Sequence, residues 1–127
     1  MTITLEHVLV PAHNREASAR FLAEVLGVEY LGLGSTAGPP AFARVRVGPT
    51  TLDFVDAERF DAEHYAFQVG EEDFDSILGR VKEAGLTFYA DPGHTREGEL
   101  NNWNGGRGFY FSDPNDGHNL ELLTRPA

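Results

Sequence analysis

The layout of this chain occurs twice. Each copy starts with a short alternating stretch that carries a histidine. A helix-period stretch closed by glycine follows, then short alternating stretches, one of which carries an acid. His7 to Gly27 spans 20 residues and His64 to Gly85 spans 21, so the copies keep step through the helix. An internal repeat constrains a fold more than any other sequence feature, because each copy must be one supersecondary unit.

The first copy reads as a strand over residues 4–10 and a helix over 14–26, then strands at 29–33, 42–47 and 51–56. Ala17, Phe21, Leu22, Val25 and Leu26 fall at helical spacing. Asn14 suits the N-cap, and Gly27 suits a left-handed C-terminal residue. Gly and Pro punctuate residues 34–40 and Gly48-Pro49. The second copy reads as a strand over 64–69, a helix over 71–84 and strands at 86–90, 108–111 and 119–123. Phe74, Ile77, Leu78 and Val81 form its apolar stripe. Glu71, Glu72 and Asp73 suit the positive helix start, and Gly85 ends the helix. The surplus length lies at 91–106, where a loop that long is usually functional or mobile.

The expectation is an α+β domain of 127 residues. Two tandem βαβββ modules, about 1–57 and about 63–127, form a cupped mixed β-sheet with helices on its outer face. Gly105-Gly106-Arg107-Gly108 is too short for a phosphate loop and reads as a tight entry into a strand.

Side chains alternate along a strand, which sorts the chemistry onto one face. Val8 and Val10 oppose His7; Leu52 and Phe54 oppose Asp53. Tyr65, Phe67 and Val69 oppose His64; Leu120 and Leu122 oppose Glu121; Phe109 and Phe111 oppose Tyr110. The apolar sets pack on helices, and the polar residues share the other face, with Arg44 among them. Two imidazoles and two carboxylates on one face suit Zn, Ni, Co, Mn or Fe. Buried carboxylates without a cation cost several kcal/mol each or turn neutral. His7, His64 and Glu121 are the expected ligands. Asp53 is either a fourth ligand or the catalytic base, and Tyr110 is the hydroxyl donor. Trp103, Arg107, Asn102 and Arg44 are the expected substrate contacts. His13 and His118 read as surface or turn residues.

Composition excludes more than it selects. The net charge of −10 argues against a nucleic-acid backbone as partner. The absence of cysteine excludes disulfides, thiolate ligands and a Cys nucleophile. No run approaches the ~18 apolar residues of a membrane span, and no signal-peptide pattern is visible. A cytoplasmic address is the expectation.

At these residues the chain resembles the vicinal oxygen chelate superfamily, which includes glyoxalase I, type I extradiol dioxygenases, fosfomycin-resistance thiol transferases, methylmalonyl-CoA epimerase and bleomycin-resistance proteins. The resemblance rests on Leu5-Glu6-His7-Val8, Ala19-Arg20-Phe21-Leu22, Leu26-Gly27 and His64-Tyr65-Ala66-Phe67. It rests most on Phe109-Tyr110-Phe111-Ser112-Asp113-Pro114 with Gly117-His118-Asn119-Leu120-Glu121. It implies metal ligands at His7, His64 and Glu121, a small-molecule substrate and a homodimer. The turn at Pro114-Asn115-Asp116-Gly117 is one residue longer than the family's. Residues 101–103 lack the acid/base histidine of extradiol dioxygenases. The implied function is a divalent-metal-dependent enzyme on a small oxygenated substrate, glyoxalase-like lyase or isomerase before dioxygenase. The alternative is a drug-sequestering protein of the bleomycin-resistance type.

Overall fold

The structure is a computed structural model that describes residues 2–35 and 38–127. Residues 36 and 37 of the 34–40 punctuation lie outside the described residues. The chain divides into two compact units, Met1–Asp61 and Ala62–Ala127. Two helices and two mixed sheets make it an α+β fold, as the sequence predicts.

The first unit runs β1 (His7–Ala12), α1 (Arg15–Leu26), β2 (Glu29–Gly34), β3 (Phe42–Val47) and β4 (Thr50–Asp56). Asn14 is extended at φ −136° and accepts the Ala17 N–H at 3.0 Å, satisfying a donor the helix itself cannot. Gly27 ends α1 at φ 72°. Asp56 accepts the Arg15 N–H at 2.9 Å, which ties the end of β4 to the positive end of α1. The sheet order is β1-β4-β3-β2, with β1 parallel to β4 and the other pairs antiparallel. Gly48-Pro49 makes a two-residue hairpin between Val47 and Thr50, and Gly48 takes its required positive φ of 58°. Leu22, Val25 and Leu26 of α1 are buried, as are Val10, Val45, Leu52 and Phe54 of the sheet.

The second unit runs β5 (His64–Gln68), α2 (Glu71–Glu83), β6 (Gly108–Ser112) and β7 (Asn119–Leu123), in sheet order β5-β7-β6. Phe74, Ile77 and Val81 of α2 are buried, and Phe74 meets Phe109 edge-on at 5.3 Å. The strand expected at 86–90 does not form. Tyr89 exchanges one pair of backbone hydrogen bonds with Tyr110. Its neighbours then turn back on the loop: the Ala90 N–H donates to Arg96 and the Gly98 N–H to Phe88. Along the same edge of β6 the next position, Gly108, exchanges its backbone hydrogen bonds with Asn101 instead, so the ladder from Tyr89 does not continue. No helix among the described residues is long and apolar enough to cross a membrane.

The repeat survives as register. In each unit the histidine strand pairs in parallel with the acid strand. His7 faces Thr51 and His64 faces Asn119; the acids, Asp53 and Glu121, lie two residues further on.

Candidate metal site

The two copies of this arrangement differ in what answers the acid. In the first unit Arg44 of β3 faces Asp53 in register and donates from Nε to Asp53 Oδ1 at 2.9 Å. Asp53 is only 3% exposed, so its charge is compensated by a guanidinium where it is removed from water. The residue in the corresponding position of the second unit is Tyr110, which faces Glu121 in register. A phenol brings a hydrogen bond to Glu121 but no positive charge. Glu121 Oε1 lies 3.0 Å from His64 Nε2. The sequence reading put Arg44 on the chemical face without pairing it to Asp53; the pairing requires the strand register.

The hydrogens on His64 follow from its partners. Nδ1 lies 3.2 Å from the Asn119 carbonyl oxygen, which can only accept. Nδ1 therefore carries the hydrogen, and in the neutral ring Nε2 turns its lone pair toward a carboxylate. Two acceptors 3.0 Å apart call for a cation between them, a proton or a metal ion. This donor set fits a divalent ion, with an imidazole nitrogen and a carboxylate oxygen at the exposed end of β5. Tyr110 stands beside it, its ring stacked on His64 at 5.8 Å. Burial pushes the Tyr110 hydroxyl up to about 12, and the nearby carboxylates of Glu121 and Asp91 push the same way. It is a hydrogen donor across the neutral range.

His7 is prepared in a similar way. Its Nδ1 lies 2.7 Å from Glu6 Oε1; a carboxylate accepts, so Nε2 is left as the free lone pair. Among the described residues, however, no group of three or more His, Cys, Asp or Glu side chains is gathered to hold a metal ion. Of the expected ligands, His64 and Glu121 are paired within the second unit, and His7 belongs to the first.

The expected substrate contacts separate. Trp103 is 46% exposed and meets Tyr110 edge-on at 6.0 Å, beside the pair. Asn102, just before it, is exposed. Arg107 departs from the expectation. It precedes β6 on the parity of Phe109, which is the α2 side. There it pairs with Glu71 at 2.9 Å and Asp75 at 2.8 Å and lies over Phe74 at 4.4 Å. Its parity with Phe109 was a signal that the sequence reading did not apply to it. His118 follows the turn before β7, one of the two expectations for it, but is only 1% exposed. Its Nδ1 accepts the Glu63 N–H at 2.9 Å and Tyr65 stands edge-on to it. His13 is exposed, as expected. His94 and Asn119 reach the face of the pair without having been singled out as site residues. Asn119 carried a usable signal, since it shares strand parity with Glu121.

Fold, repeat and site together define the class: the chain belongs to the Glyoxalase/Bleomycin resistance protein/Dioxygenase superfamily, whose sequence model matches residues 4–122. Among individual proteins it is similar to the oxidase ChaP-H2, 52% identical with a TM-score of 0.88, covering 99% of this chain and 96% of that one. It is also similar to the oxidase ChaP-H1, 48% identical with a TM-score of 0.85, covering 98% of both chains. The glutathione transferase FosA of Serratia marcescens is 30% identical over 131 residues, covering 96% of this chain and 81% of that protein.

Proposed function

We propose that this chain is a divalent-metal-dependent oxidase acting on a small oxygenated molecule. The observation that carries the reading is the His64–Glu121 pair, two acceptor atoms 3.0 Å apart beside an exposed indole and a phenol. His64 and Glu121 hold the ion in this reading, with His7 as third ligand. A divalent ion supplies a Lewis acid for negative charge on two neighbouring substrate oxygens. Tyr110 donates its hydroxyl hydrogen to a substrate oxygen, and Trp103 covers the substrate's apolar face. Asp53 keeps Arg44 in place on the first sheet, and Arg44 offers its remaining donors to an anionic group. Arg107 is left out of the substrate contacts, because Glu71 and Asp75 occupy it. Oxidation takes precedence over lyase or isomerase chemistry because the relatives at 48–52% identity are oxidases. The working form in this reading is a cytoplasmic homodimer.

Elemental analysis of the purified protein beside His64→Ala is the test. A stoichiometric divalent ion is expected in the wild type and its loss in the variant, with oxygen uptake on catechol-type substrates by the loaded protein. If neither protein holds an ion, the metal reading fails. Sequestration of a cationic small molecule then takes its place, which the net charge of −10 favours.

A further inference from the structure

The loop before β6 brings a second histidine to the face of the pair. Asp91 closes this loop by accepting from the Thr95 N–H, the Thr95 hydroxyl and the Arg96 N–H. Inside the turn His94 stands at φ 57°, a left-handed conformation that strains a side-chain-bearing residue. The Asp91 contacts close the turn without the imidazole, so the ring is available for another purpose. It stacks on Tyr89, with centroids 4.2 Å apart and planes 10° from parallel. Its Nε2 lies 2.8 Å from Asn119 Oδ1.

The direction of each hydrogen bond can be assigned from the partners. Asn119 Nδ2 donates to the Pro92 carbonyl at 3.1 Å, so the amide oxygen faces His94. That oxygen only accepts, and His94 Nε2 is therefore the donor. Asn119 is held by its side chain from two points of one loop. It is also the first residue of β7, two residues after Gly117 at φ 78°. Its backbone N–H donates to the Glu63 carbonyl at 2.9 Å, and the side-chain hold from the loop is added to that backbone bond. The carbonyl of this residue is the one that faces His64 Nδ1 at 3.2 Å.

We propose that His94 is a positioning residue: by holding Asn119 it fixes the carbonyl that orients the His64 ring, so that Nε2 is presented beside Glu121. The proposal rests on the reading of that pair as a metal site. It assigns His94 no contact with substrate and no part in proton transfer.

The test uses His94→Phe, which keeps the stack on Tyr89 and removes the donor, and His94→Gln, which restores an N–H at similar reach. Two properties are measured: Zn²⁺ affinity by titration calorimetry, and the His64 tautomer in metal-free protein by long-range ¹H–¹⁵N correlation. In His94→Phe the affinity is expected to fall about 10-fold or more, the range for lost outer-shell partners. His64 is expected to change from one Nδ1–H tautomer to a mixture, and His94→Gln to recover both properties. If His94→Phe does not fold, Asn119→Ala cuts the same link from the other side and is expected to give the same two changes. Wild-type affinity together with a single His64 tautomer in the folded variant overturns the proposal. A wild-type protein that binds no Zn²⁺ overturns the metal reading instead, and the metal-free tautomer measurement still decides the role of His94.

Discussion

Asp113 is an acid whose surroundings work against its charge. It is buried in the turn before β7, where burial raises it to about 6; the neighbouring Asp116 adds to the shift, while the Asn115 N–H at 2.7 Å opposes it. An acid raised in the fold binds its proton more tightly folded than unfolded. Its contribution to stability is therefore fully present below the unfolded value of about 4 and is lost as pH rises to about 6. Asp113→Asn keeps an oxygen for the Asn115 N–H and removes the charge. The variant is expected to be more stable than the wild type by about 1–2 kcal/mol at neutral pH, with the advantage vanishing near pH ~4. Urea unfolding at the two pH values checks it; an unchanged difference would refute it. Sequence offered no route to this value, because it depends on how deeply one turn is buried. The same limit applies to His118. A histidine beside a turn gives no sign that its Nδ1 will cap a backbone N–H from Glu63.

At the scale of elements the two helices begin differently. α1 has a side-chain cap in Asn14, whereas α2 starts at Gly70 with none. Asn14→Ala is expected to cost about 1 kcal/mol. Gly70 sits at φ −72°, where other residues are unstrained, and a Cβ there meets nothing within 4 Å. Gly70→Ser is therefore expected to stabilise by about 0.5–1 kcal/mol, by adding a cap and reducing the freedom of the unfolded chain. Thermal unfolding of both variants decides; no gain in Gly70→Ser would mean the start of α2 is already satisfied. The caps of α1, its Gly27 end and the buried stripe of α2 were legible, since they are local patterns of residue type and period. The strand expected at 86–90 was not. Alternation marks a segment able to pair, but pairing needs a free partner, and Asn101 had taken the next one on β6, Gly108. Gly106 and Gly108 lie between these cases. The sequence predicts close approach, and a Cβ at Gly106 would stand 2.6 Å from Thr124 Oγ1 and from Arg125 Cγ.

For the whole molecule the net charge of −10 is the main long-range quantity. Like charges repel in the compact state more than in the expanded one. Raising ionic strength from about 0.01 M to about 0.1 M shortens the screening length from about 30 Å to about 10 Å. Tm at pH 7.5 is expected to rise by a few degrees over that range in monovalent salt, equivalent to about 1 kcal/mol. A flat or falling Tm would mean that attractive pairs such as Arg44–Asp53 and Arg107–Asp75 outweigh the repulsion.

By itself the sequence determined the repeat, the α+β class, the helix ends and the sorting of His7, Asp53, His64 and Glu121 onto the face opposite the apolar sets. These follow from periods of 2 and 3.6 and from residue types at termini, all local properties of a chain. Tertiary structure decided which partners those residues meet. Register across three strands gave Asp53 a guanidinium and Glu121 a phenol and an imidazole, so two acids equivalent in the repeat meet different partners. A loop distant in sequence carried His94 to Asn119. Such pairings depend on strand order and chain crossings, which no local pattern encodes.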